Sequence, residues 1–326
     1  MNIFGFIGSV FGYVLWFFYE LFNNYGVAII LFTIVLKILM FPTSITQQKS
    51  AAKSAKLTTK QKELQKKYAN DKNKLNEEMS KLYQKEGVNP LGGCLPSLLP
   101  MLILFGVYYS VIMPLSNTMH LSTTEVENAV SYLNSIPGLN GSFGNSMYGQ
   151  IDIINISQTS EGVAYLNQFF NTQDITKIQE FGQSFNFLGL NLLGQPSNGF
   201  SNLILIPALC LITSLGSQLY MMKHQPSMQT QQGCMKYMLL GMPLFSAWIA
   251  YSVPAAVGLY WIASTVIGFV QSVLLQKFFS VDIMGAKEEA QRIALLEIEE
   301  KEVKYCYQPK FESSSNNNNN NKKKRK

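Results

Sequence analysis

One lysine carries most of the chemical information in this sequence. Gly26-Val-Ala-Ile-Ile-Leu-Phe-Thr-Ile-Val-Leu-Lys37-Ile-Leu-Met-Phe41 is an apolar run with a single charge near its end. An ammonium at the centre of a membrane helix costs roughly 2.5–3.5 kcal/mol on insertion scales, and such residues face a bundle interior or a watery cavity where they have work to do. The competing reading is a snorkelling lysine. Lys37 stands five residues before Pro42, within reach of the membrane surface for its four-carbon stem. Other chemistries find little support. Cys94, Cys210, Cys234 and Cys306 are far apart and form no CxxC, so neither a zinc site nor a disulfide framework is indicated. His120 and His224 are the only histidines and have no partners at metal or triad spacing. No metal, cofactor or catalytic residue is expected.

The elements that must position Lys37 are apolar helices. The chain is 47% apolar and 14% charged, against roughly 25% charged in soluble domains. Its apolar residues fall into five candidate spans at 25–41, 95–114, 200–222, 235–251 and 255–278. The first and fourth have 17 residues each, about 25 Å of helix, where a bilayer core of about 30 Å asks for about 20 residues. Short spans thin the bilayer around them. Orientation follows from the loops. Residues 49–86 contain eleven lysines and five acidic residues, whereas residues 115–199 contain one lysine, Lys177, and six acidic residues. The basic loop is therefore expected in the cytoplasm, with the long acidic loop outside and the C-terminus inside. Residues 1–24 are aromatic-rich, with Phe17, Phe18, Tyr19 and Phe22 near their end, and lack the marks of a cleaved signal peptide. They are expected as an interfacial helix on the outer face, with a sixth span as the alternative.

Residues 42–94 read as a basic helical hairpin that turns at Ala69-Asn70-Asp71-Lys72-Asn73 and returns with Leu75, Met79, Leu82 and Tyr83 on one face. Residues 223–234 form a short cytoplasmic loop, and residues 279–326 a charged tail ending in an asparagine run and Lys322-Lys-Lys-Arg-Lys326. Such a terminus attracts anionic lipid or ribosomal RNA phosphates, or is simply solvated. The apolar residues between Phe185 and Leu193 read as a segment lying on the membrane, and the rest of the outer loop as disordered or a small cap.

The segment Tyr83-Gln-Lys-Glu-Gly-Val-Asn89-Pro90-Leu-Gly92-Gly93-Cys94-Leu-Pro96 resembles the YidC family of membrane protein insertases, in its loop leading into the second core span. Phe32-Thr-Ile-Val-Leu-Lys37 with Phe41-Pro42 resembles the family's first core span, where an arginine occupies the place of Lys37. Ile206-Pro207 with Thr213 resembles the third span. Met242-Pro243-Leu244, Pro254, Gly258-Leu-Tyr-Trp261 and Gln271 resemble the last two. Two departures stand out. Lysine keeps the charge but loses arginine's rigid five-donor fork, and the outer loop of about 85 residues is long for the small Gram-positive-type members.

The resemblance implies an all-α polytopic protein of a bacterial plasma membrane. Its five-helix core would enclose a polar groove open to cytoplasm and lipid and closed outside, with a cytoplasmic hairpin attached. The groove residues it selects here are Lys37, then Trp261 and Thr213, with Ser214, Gln218, Tyr109 and Ser264 beside them. Serine and threonine in such helices more often bond back to their own carbonyls. The implied function is insertion of nascent membrane proteins without covalent chemistry. The partners it implies are ribosome and targeting factors at the hairpin and tail, the Sec translocon and anionic lipids. The alternatives are a secondary transporter using an intramembrane lysine, for which no inverted repeat is evident, and a ribosome-tethering scaffold in which Lys37 is idle.

Overall fold

The computed structural model describes residues 3–69, 71–85, 95–136, 148–199, 201–224 and 234–306. The motif loop at 87–94, the connection at 225–233 and the terminal asparagine and basic runs lie outside the described residues, as does Asn70 of the hairpin turn. The chain divides into two compact units, Met1–Val281 and Asp282–Lys326. Among the described residues the first unit is helical apart from one minimal β-hairpin.

Helix α1 (Ile3–Phe22) turns at Asn23 into α2 (Tyr25–Leu39), whose first turn is capped by the Asn24 side chain accepting from the Val27 N–H at 3.1 Å. Then α3 (Phe41–Lys67) sets off at 51° to α2. Pro42 lies in the first turn of α3, where it has no N–H to donate back to α2. The chain returns as α4 (Lys72–Lys85), which packs on α3 with Gln61 Nε2 donating to the Tyr83 hydroxyl at 3.4 Å. Helix α5 (Leu95–Ile112) rises to Pro114, which opens the short α6 (Pro114–Asn117). After the outer segment come α11 (Leu205–His224), α12 (Cys234–Ser252) and α13 (Ala255–Phe278). In the second unit α14 (Val281–Cys306) is a long, largely exposed polar helix.

By length and composition Gly5–Phe22, Asn202–His224 and Ala255–Phe278 can each cross a membrane. The bent pair Tyr25–Leu39 with Phe41–Lys49 qualifies as a broken span, and Leu102–Ile112 is a shorter apolar helix. This is an all-α polytopic membrane protein. Helix α1 packs along both α2 and α5, α11 packs on α12 and α13, and α13 lies against α2, joining the two halves. Small residues seat α1. A side chain at Gly8 would meet the Tyr109 Cβ at 2.9 Å, and one at Gly12 would overlap the Asn117 carbonyl. The buried Ser110 hydroxyl donates to the Gly8 carbonyl at 2.7 Å and to the Gly106 carbonyl at 3.0 Å. Close backbone approach through small residues is how helices associate in lipid. The opposite face of α1 exposes Phe6, Val10, Tyr13, Phe17 and Leu21. An expected interfacial helix thus has the length of a span and a fixed seat in the bundle.

The described part of residues 115–199, expected outside from loop charge and called the outer body below, is folded with its own core. Helices α7 (Thr123–Ser135), α8 (Gly149–Ser157), α9 (Ser160–Leu166) and α10 (Thr172–Gln183) bury Val126, Leu133, Ile151, Ile154, Ile178 and Phe181. Strands β1 (Asn186–Phe187) and β2 (Leu190–Asn191) pair antiparallel. The expectation that residues 185–193 lie on the membrane is corrected here: Phe185, Leu192 and Leu193 are core, and of that stretch's large apolar residues only Leu188, 85% exposed, is on the surface. Alternation along a hairpin, invisible to a count of apolar residues, turns one side inward.

This body is tied to the spans through backbone groups that a helix leaves unpaired at its N-terminus. The Tyr25 N–H of α2 donates to the Ser184 carbonyl at 3.0 Å. The Ala255 and Ala256 N–H groups of α13 donate to the Gly194 and Leu192 carbonyls at 2.9 and 2.8 Å. The fully buried Tyr25 ring lies between Phe181 and Phe185, with its hydroxyl 3.4 Å from Thr118 Oγ1.

Two outcomes follow from this packing. Phe181 touches Trp16, Tyr19, Tyr25 and Phe185, so Phe181→Ala should cost about 3–5 kcal/mol, visible in detergent as early thermal unfolding and rapid proteolysis of residues 115–199. Burial pushes the Asp152 carboxyl up to about 6. The folded state therefore holds a proton that the unfolded chain has released, and stability should fall as pH rises from about 4 to about 6 and level off above. Asp152→Asn should flatten that pH dependence in the same melting experiment.

Candidate functional site

Lys37 lies twelve residues beyond Tyr25 on α2, about 18 Å along the axis. Gly268 lies thirteen residues beyond Ala255 on α13, about 20 Å along. Both helices start from the same outer body, so these two positions share a depth, and the structure brings them together. A Cβ built on Gly268 would lie 3.2 Å from the Lys37 ammonium nitrogen and 3.9 Å from its Cε. Side chains on a helix lean toward its N-terminus, here toward the outer side, which agrees with a stem that crosses to α13 at mid-span. Lys37 stands in the last turn of α2, and its ammonium lies against α13. Among the described residues no carboxylate pairs with it, in contrast to Lys81 on α4, which pairs with Glu77 and Glu78.

Gly268 belongs to a polar stripe. Trp261, Ser264, Gly268 and Gln271 recur at intervals of three and four residues, one face of α13, and all are partly buried. The Gln271 Nε2 atom is buried and has no hydrogen-bond partner, and neither does Nε2 of Gln218 on α11. Gln218 sits at about the same depth, because α11 and α13 run in parallel with matched levels. Cys210 Sγ donates to the Gly258 carbonyl at 3.5 Å, the Tyr220 and Phe269 rings meet at 5.0 Å, and Gln276 Nε2 lies 3.2 Å from Met221 Sδ. Buried amide nitrogens without acceptors are rare in native proteins and ask for an explanation. Here two of them and one ammonium stand at one level of three adjoining helices, offering N–H donors to an acceptor-rich visitor.

The other residues selected from sequence divide. Trp261 and Ser264 lie on the stripe, seven and four residues outward of Gly268. Ser214 is half-buried on α11, four residues before Gln218. Thr213 spends its hydroxyl on its own helix, donating to the Leu209 carbonyl at 2.7 Å and the Cys210 carbonyl at 3.3 Å. Tyr109 lies elsewhere, against Gly8 of α1, with its carbonyl accepting from Asn117 Nδ2 at 2.9 Å. Sequence selection missed Gly268 altogether and used Gln271 only as part of a resemblance. The three- and four-residue spacing from Trp261 through Ser264 to Gln271 was the available signal.

The chain matches the family described as 60Kd inner membrane protein over residues 17–282. It is 27% identical over 271 residues to a membrane protein insertase YidC of Caldanaerobacter subterraneus subsp. tengcongensis, covering 83% of this chain and 94% of that protein. A YidC insertase of Magnetococcus marinus is 48% identical over 95 residues, 29% of this chain and 17% of that protein. One of Geobacter metallireducens is 41% identical over 96 residues, again 29% of this chain, and 18% of its own length.

An ammonium held in a helix bundle without a counter-charge destabilises the fold it sits in. Lys37→Met should therefore raise the melting temperature of the purified protein, by about 2–4 °C for each kcal/mol recovered, and Lys37→Arg should not. Differential scanning fluorimetry in one detergent checks both.

Proposed function

The chain belongs to the 60Kd inner membrane protein family, and on that premise we propose that it is a membrane protein insertase whose working site is the polar level around Lys37. The observation that carries this reading is the meeting of the Lys37 ammonium with Gly268 at mid-span, next to two buried amides that lack acceptors. A short polar tail of a nascent membrane protein enters this groove from the cytoplasmic side. Its carboxylates and bare carbonyls accept from Lys37, Gln218 and Gln271, so the tail keeps a counter-charge and hydrogen bonds part-way across. The client's apolar segment meanwhile leaves sideways into lipid. No bond is made or broken.

The pairing has to be weak. At an effective dielectric near 20, two charges 4 Å apart attract by about 4 kcal/mol before desolvation is subtracted. A dry, fully satisfied ion pair would hold the client in place instead of passing it on. The 15 residues of α2 before the bend make about 22 Å of helix, less than a typical hydrocarbon core, and local thinning lowers the remaining barrier. The 51° break after α2 turns the lysine-rich α3–α4 hairpin off the axis of that helix. There, in the cytoplasm, it and the basic terminus would receive clients from ribosome, targeting factor or Sec translocon and touch anionic lipid.

The test is insertion of a single-span client with a short acidic exported tail into liposomes that contain only this protein. Lys37→Ala should slow insertion about tenfold or more, equivalent to about 1.4 kcal/mol or more of barrier, and Lys37→Arg should retain it. Equal insertion by all three proteins would remove Lys37 from the mechanism. No insertion above empty liposomes by folded protein would favour a ribosome tether, and ion-gradient-driven solute uptake a transporter.

A further inference from the structure

The segment 184–194 of the outer body crosses directly above the site. At one end it holds α2: the Ser184 carbonyl accepts from the Tyr25 N–H and the Asn186 carbonyl from Asn24 Nδ2 at 3.1 Å. At the other end it holds α13 through the Leu192 and Gly194 carbonyls. Between these ties stands the β1–β2 hairpin, two residues per strand, turning through Leu188 and Gly189, both in the left-handed region at φ +51° and +79°. Leucine is disfavoured there, and a hairpin this short has little stability of its own.

Phe187 is the residue this hairpin delivers to the bundle. Its ring rests on Gly26, where a Cβ would come within 2.5 Å of the ring Cγ. Gly26 and Lys37 are eleven residues apart, about three turns of helix, so they occupy the same face of α2. The ring therefore stands at the outer end of the track along which Lys37 faces α13. The ring packs on the core, but each end of the strap is also tied independently of it, through the Ser184, Asn186, Leu192 and Gly194 carbonyls.

We propose that residues 184–194 are the outer gate of the groove and that Phe187 is the stop a client tail must displace from Gly26 to reach the outside. This rests on the insertase reading and adds the exit to it. The gate opens by the hairpin lifting while its two ends stay tied to α2 and α13. It discriminates by bulk: tails of small polar residues slip past the ring, and tails carrying large side chains are delayed.

A reversible lock tests this. A Cβ at position 26 would lie 2.8 Å from that of Phe187, and disulfides join Cβ atoms about 3.5–4.5 Å apart, so Gly26→Cys with Phe187→Cys can be bridged after a small shift. In a chain with the four native cysteines replaced by alanine, oxidation should cut delivery of the client tail at least tenfold. A photocrosslinker at Ser264 should still capture the client, and reductant should restore delivery. Delivery at the reduced rate after oxidation would overturn the proposal. So would loss of the crosslink along with delivery, because a gate acts after entry. A second variant needs no lock: Phe187→Ala should speed a tail containing tryptophan several-fold more than a Gly/Ser tail, and equal effects would overturn the proposal. Failure of the unmutated chain to insert either client would remove the insertase reading itself.

Discussion

An ammonium group held inside a helix bundle, against the middle of α13, is the constraint to which the rest of this molecule answers. It needs a neighbour that is neither a hydrocarbon wall nor a carboxylate that would neutralise it for good. Gly268 supplies that by having no side chain, which lets the backbone of α13 come close to the Lys37 head. The backbone itself is then part of the polar surface. Gln218 and Gln271 extend the same logic, since an amide without an acceptor keeps its donor capacity in reserve. Such unsatisfied groups are costly in a static protein. On the insertase reading proposed above, they would be tolerable at a site whose partners arrive and leave.

Holding three helices at one level requires a common reference outside the site, and the outer body provides it. Its carbonyls complete the first turns of α2 and α13, so the vertical positions of Lys37 and Gly268 are set by hydrogen bonds about 20 Å away and transmitted along stiff helices. The Tyr25 cage of aromatic rings adds a lateral fix. Backbone polar groups in or near lipid must find partners within the protein, and here that requirement becomes a ruler for the level at which Lys37 and Gly268 meet.

Much of this was legible in the sequence, for identifiable reasons. Lys37 declared itself because a charge in an apolar run is a local signal, whereas the helix break before Pro42 was not read from the sequence. The helical character of the spans follows from their composition. The fate of Thr213 was foreseeable in kind, since a threonine can reach its own helix's carbonyls anywhere in a span. Tyr109 was misplaced because sequence tells which helix carries a residue but not which neighbour its face meets; the Gly8–Gly12 seat on α1 claims it. Gly268 could not be found at all, because its importance lies in what approaches it from a helix more than two hundred residues away. The core of the outer body was obscured by its Asn, Ser and Gly content, which reads as loop until the buried positions on α7 to α10 are seen to converge.

The seat of α1 has a consequence for how the protein comes into being. Gly8 and Gly12 emerge first, but the surfaces that close over them, Tyr109, Ser110 and Asn117, are made about a hundred residues later. At ribosomal rates of about 5–20 residues per second, α1 and α2 wait roughly 5–20 s in the membrane with a small-residue face uncovered. For that interval the young chain is itself an unfinished membrane protein of the kind it is built to assist.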